Sequence, residues 1–180
     1  MPNFRTLTFC AAASLAATAC GDDSGGYEPT GTGPAAKLLC TSSDMNAFDT
    51  YGADAFVAVN EKIFELVLAE LDANGETNLG GSFGTVADFA VFKGNLAAFL
   101  VYVYGGPESI QYSDGKTYNG PQDMAAAHAG LAITAAQYDY FVANIVVPAL
   151  TMSGVPMDDV SSCFAPPVTD AAFKASIVGK

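Results

Sequence analysis

Apolar residues recur at three- and four-residue steps through most of this chain. Phe56, Val59, Ile63, Val67 and Leu71 mark one face of a helix predicted from about Asp54 to Asp72. Asn74-Gly75 and Gly80-Gly81 then break the chain into a loop. A second stripe, Phe89, Phe92, Leu96, Leu100 and Val103, predicts a helix from about Val86 to Tyr104, with Thr85 and Asp88 at the spacing of an N-cap and an acid three residues on. Gly105-Gly106-Pro107 ends it. The polar, turn-rich stretch from Ser109 to Pro121 reads as a long loop. A short apolar helix of about two turns follows at Met124. Thr134 with Gln137 forms a capping-box pattern, opening a fourth helix that carries Tyr138, Phe141, Val142, Ile145, Val146 and Leu150. Gly154 closes that helix. Pro156, at a first helical position ahead of Asp158 and Asp159, opens a last helix interrupted by Pro166-Pro167. No segment alternates at period two over strand length, so the fold class expected is all-α.

The amino-terminal region follows a different pattern. Arg5 and the amino terminus precede an apolar run from Leu7 to Ala19 that is too short to span a bilayer, as in an export signal over residues 1–19. Ala17-Thr18-Ala19 directly before Cys20, with Gly21-Asp22-Asp23 after it, resembles a bacterial lipoprotein signal in which Cys20 is acylated, plain cleavage and secretion being the alternative. Ala17 stands where leucine is more usual. An anchor on Cys20 would place the chain at a membrane on the exported, envelope side, each buried methylene contributing roughly 0.8 kcal/mol. Gly, Pro, Ser and Thr dominate to about Ala36, which predicts a flexible linker over 20–36 and a folded domain over 37–180. In an oxidising compartment, Cys40 and Cys163 have two readings: a bridge contributing on the order of 4 to 5 kcal/mol, or two separate buried thiols.

With 51% hydrophobic residues, 180 residues suffice for one compact core. Seven basic residues stand against 19 acidic ones, a formal net charge of -12, and Arg5 is the only arginine. Nothing here could displace counterions from phosphates, so nucleic acid is excluded as a partner. There is no Cys-x-x-Cys spacing and a single histidine, which argues against zinc.

That histidine is His128, set in Met124-Ala125-Ala126-Ala127-His128. A neutral imidazole in apolar surroundings is either a core residue satisfied by a hydrogen bond or a metal ligand. The order of motifs around it narrows the choice. Phe92-Lys93-Gly94-Asn95-Leu96-Ala97-Ala98-Phe99-Leu100, then Gly105-Gly106-Pro107, then His128, Ile133-Thr134 and Leu150-Thr151-Met152-Ser153-Gly154-Val155-Pro156 together resemble the group I truncated haemoglobins. The resemblance covers about Asn46 to Val178. It implies a truncated globin fold, a two-over-two helical sandwich around haem b.

Carried over residue by residue, the resemblance makes His128 the proximal ligand of haem iron, its second ring nitrogen turned to a main-chain carbonyl. Met124, Leu131, Ile133, Tyr138 and Phe141 would line the proximal side and edge of the porphyrin. Phe83 would stand for the phenylalanine that packs on the haem after the first loop. The distal positions, where the family often has tyrosine and glutamine, correspond to Phe64 and Leu96, with Phe92 one turn before Leu96. None of the three can donate a hydrogen bond. A charge-assisted bond to bound dioxygen would contribute roughly 1.5 to 3 kcal/mol, so its absence implies release about ten- to a hundredfold faster. Asn95 stands where a basic residue often meets a haem propionate, and Lys93 is the nearest substitute.

The function expected on this basis is an exported haem protein that binds oxygen, carbon monoxide or nitric oxide at an apolar distal face. Its export would separate it from the family's intracellular reductases, leaving the electron donor unidentified. Two other readings share the fold: an envelope enzyme with peroxidase-like or nitric-oxide-detoxifying chemistry, and a haemless sensing or partner-binding module.

Overall fold

The computed structural model describes residues 27–80, 83 and 88–180. The export signal, Cys20, the first part of the linker, Gly81 and Thr85 with the expected helix start at Val86 lie outside the described residues. Within them the chain is mostly helical. Helix α1 spans Ala47–Asn74, α2 Phe89–Val103, α3 Met124–Ala127, α4 Ala135–Phe141, α5 Val147–Met152, α6 Met157–Asp159, α7 Ala165–Thr169 and α8 Ala171–Ala175.

Helix α1 is the central element, packing against α2 on one side and against α5 on the other. Its stripe of Phe56, Val59, Ile63 and Val67 is buried, as the three- and four-residue spacing requires. The opposing surfaces bring Val101 and Tyr104 from α2 and its C-terminus, Ile145, Ala149 and Leu150 from α4–α5, and Val160 and Phe164 from the last helices. Each such side chain contributes about 1.5 to 3 kcal/mol on full burial. The helix begins earlier than its stripe. Asn46 caps it by accepting from the Asp49 N–H at 2.7 Å, and Gly52, at φ 75°, bends the first turn away from the rest. Asp88 itself caps α2, accepting from Ala90 and Val91.

The expected Ser109–Pro121 loop contains a small antiparallel hairpin, β1 (Ser109–Gln111) with β2 (Thr117–Asn119). Three-residue strands are too short to show alternation in sequence. Tyr118 of β2 rests on Gly94 of α2, where a Cβ would lie 2.3 Å from the ring.

Proline shapes the last two long helices. Between α4 and α5 the chain widens to a π-turn over Val142–Val146, and between α6 and α7 over Val160–Phe164. The N–H of Val147 bonds to the Val142 carbonyl, and that of Ala165 to the Val160 carbonyl. Each wide turn directly precedes proline, Pro148 in one case and Pro166-Pro167 in the other. A proline ring lacks the N–H and crowds the preceding turn, and a wider turn relieves both conflicts. The helix therefore passes through Pro166-Pro167 instead of stopping there, and breaks at Asp170, whose ψ is 133°. Pro156 occupies the N-cap, one position before the expected one.

The expected linker ends earlier than Ala36. Tyr27 and Thr30 donate to the Asp49 carboxylate, the Ala35 N–H bonds to the Val103 carbonyl at 2.9 Å, and Ala35 and Ala36 are buried. Gly31 and Gly33 lie so close to the main chain of residues 102–106 that no side chain would fit. Glycine here serves close approach, which composition cannot separate from flexibility.

Cys40 and Cys163 are joined by a disulfide across 123 residues. Beside it, the buried Asp159 carboxylate accepts from the Ser42 N–H at 2.9 Å and from the Ser42 and Tyr51 hydroxyls. Burial works against the Asp159 charge, but these donors outweigh it and hold the carboxyl below its usual range. Tyr51 is pushed up to about 12 by burial and by Asp159. The Tyr104 hydroxyl donates to the Phe164 carbonyl at 2.7 Å, inside the π-turned segment.

Candidate functional site

The segment carrying His128 is slight. Asp123 caps α3 by accepting from Ala126 at 3.1 Å, the helix makes a single turn instead of the expected two, and none of its residues is buried. His128 is its C-terminal cap, at φ -107° and ψ 4°, and is half-exposed. Gly130, at φ 81°, turns the chain immediately after it.

The imidazole is held at one nitrogen. Nδ1 lies 2.8 Å from the Met124 carbonyl oxygen, an atom that can only accept. The ring proton therefore sits on Nδ1, and in the neutral ring Nε2 presents a lone pair. Among the described residues Nε2 makes no hydrogen bond. One nitrogen clamped by a main-chain carbonyl and the other free is the arrangement in which imidazole serves as an axial metal ligand.

Four of the expected apolar site residues form a row. The Phe64 ring of α1 meets Phe92 of α2 edge-on at 5.2 Å, Phe92 meets Phe83 at 6.1 Å, and Phe83 meets Phe141 of α4 at 5.9 Å. Phe64 is buried, Phe83, Phe141 and Leu96 are half-buried against the core, and Phe92 is half-buried. The row thus joins three helices through the residue that follows α1's trailing loop. Met124, Leu131 and Ile133 lie with His128 on the connection from α3 to α4, all half-exposed.

Tyr138 is differently engaged. Its hydroxyl donates to the Val168 carbonyl at 2.6 Å, and Lys174 lies 5.6 Å over its ring. Burial, then the charges of Asp139 and Asp170, push it up to about 12. With Asp139, Val142, Val168, Thr169 and Lys174 it lines a cavity of about 150 Å³. Lys93, the nearest substitute for a propionate partner, pairs with Glu61 of α1 and lies 5.3 Å over the Phe64 ring.

One polar cluster was not legible in sequence. Glu61 accepts from Lys93 and Tyr112, while buried Asn60 donates to the Lys93 carbonyl at 3.1 Å and to the Tyr112 hydroxyl at 3.3 Å. Burial opposes the Glu61 charge, but Lys93 and Tyr112 outweigh it and lower its pKa. The Asn60 Oδ1 is a buried side-chain atom with no partner among the described residues. Asn60 sits one turn before Phe64 on the α1 stripe, and an asparagine among apolar stripe positions is the only sequence signal it offers.

Among the described residues no group of three or more His, Cys, Asp or Glu could hold a bare metal ion. A porphyrin supplies four nitrogens of its own and asks the protein for an axial ligand, which one imidazole provides. No protein-family model and no curated protein matches the chain.

Proposed function

We propose that this domain is a haem protein of truncated-globin type, with His128 as the proximal ligand, exported and anchored through an acylated Cys20. The observation that carries the reading is the His128 side chain, whose Nδ1 is committed to the Met124 carbonyl while Nε2 is free. The half-buried Phe83, Phe92, Leu96 and Phe141 supply apolar surface of the kind a porphyrin covers. Haem b bound there would supply an iron centre able to take a diatomic gas. Within the protein, the Met124 carbonyl orients the imidazole, and Phe64, Phe92 and Leu96 would offer a bound ligand no proton donor. Phe64, Phe92 and Leu96 have no group for general acid-base catalysis, which favours reversible ligand binding over peroxidase-like turnover.

Haem reconstitution of the purified domain tests this. The wild-type chain is expected to take up haem with a Soret band that shifts on carbon monoxide binding to the ferrous protein, and His128→Ala to lose both. A normal Soret band in His128→Ala overturns the ligand assignment.

A haemless module is the second reading. The continuous contact from Phe64 through Phe92 and Phe83 to Phe141 favours it, since rings that already touch can fill the space themselves. A colourless preparation that refuses haem would decide for it.

A further inference from the structure

The chain's last residues return to the histidine segment. Asp170 breaks the helix and caps α8, accepting from the Phe173 N–H at 2.8 Å. From this corner α8 reaches two walls at once. Phe173 stacks on Phe99 of α2, with ring centroids 6.2 Å apart and planes within 12°, and Lys174 forms an ion pair with Asp139 of α4. The residues beyond it then run alongside the His128 connection. The Gly179 N–H donates to the Ile133 carbonyl at 2.9 Å, and the Ala132 N–H donates to the Lys180 carbonyl at 2.8 Å.

Ala132 has φ 52°, a left-handed conformation that alanine adopts only when its surroundings enforce it. The nearest enforcing contacts are those two main-chain bonds. The segment has few other ties: α3 buries no residue and packs extensively on no other element among the described residues. Gly179, at φ 73°, needs the freedom of glycine to turn its N–H into the bond.

We propose that residues 171–180 are a latch for the histidine segment, and that Gly179 and Lys180 are positioning residues for His128. By crossing from α2 to α4 and ending on Ala132-Ile133, the latch ties both apolar walls to the ligand-bearing turn. What the latch is for rests on the haem reading; the hold itself can be measured in the haem-free protein.

The test compares the full domain with a variant lacking Gly179 and Lys180, and with Phe173→Ala, by amide hydrogen exchange and by the imidazole signal of His128. As the only histidine, His128 gives one unambiguous signal. Removing two hydrogen bonds is expected to speed exchange at residues 129–133 about tenfold or more in the shortened chain, with Ile63 and Val67 in α1 unchanged. The imidazole signal is expected to shift or broaden as the Met124 contact loosens. Phe173→Ala should act in the same direction more weakly. Unchanged exchange at 129–133 in the shortened chain overturns the latch, whatever haem does. Faster exchange, with haem refused by both proteins, upholds the latch and overturns the haem reading.

Discussion

Two regions of the helical core are held by different means. Where residues 35–46 meet α6 and α7, a disulfide, a buried carboxylate with its donors and the Tyr104 hydroxyl on a π-turn carbonyl all converge. Where α3 meets α4, one helical turn with no buried residue carries the only histidine, held by main-chain bonds to the last residues. The first region has several independent restraints and the second has few. Local opening free energies follow such differences, and binding segments are commonly drawn from the weakly held part.

Removing the bridge should break this contrast most strongly. Cys40→Ala with Cys163→Ala is expected to lose about 4 to 5 kcal/mol of unfolding free energy in the chain-entropy model, read from urea denaturation. Exchange at 129–133 should barely change, since those residues draw nothing from the bridge. Equal loosening in both regions would show that they are one cooperative unit.

Asp159→Ala strikes the same region through its polar core. It leaves the Ser42 and Tyr51 donors without their acceptor and is expected to cost about 2 to 3 kcal/mol. The pH dependence follows from the lowered Asp159 pKa. The unfolded carboxyl titrates near about 3.9, so the stabilisation is complete above that value and is lost as pH falls through the lower folded value. Denaturation midpoints between about pH 5 and pH 2.5 should fall steeply in the wild type and less so in Asp159→Asn.

The smallest effect sharpens the other region. Thr134→Ala removes the cap of α4, where Thr134 and Gln137 satisfy each other's main-chain groups, and is expected to cost about 1 kcal/mol. Its exchange signature should fall on residues 134–138 and leave the disulfide region silent.

Short-range features of both regions could be read from the sequence, and long-range ones could not. The helical stripes were plain because burial enforces their period: Phe56, Val59, Ile63 and Val67 are spaced to face one side. The Thr134 capping box was plain because both its partners lie within one turn. Contacts between distant residues leave no such trace. Asp159 reads as an ordinary acid of a first helical turn until Ser42 and Tyr51 are brought to it by the fold. The hairpin escaped because its strands are three residues long, and Tyr118 needs Gly94 of another element to explain it. Pro166-Pro167 reads as a stop because the π-turn that accommodates it is a response of the backbone with no residue signature. At the histidine, the residue type was legible and the resemblance implied a main-chain carbonyl for its second nitrogen, but neither that the carbonyl is Met124's nor the hold from Gly179 and Lys180 could be read.

The early docking of residues 27–36 has a consequence for reach. With Tyr27 fixed on Asp49, only Gly21 to Gly26 separate Cys20 from the folded body. Seven peptide steps extend at most about 25 Å, roughly one small-domain diameter. For a chain acylated at Cys20 this would be a short leash, keeping Tyr27 within about 25 Å of the lipid surface.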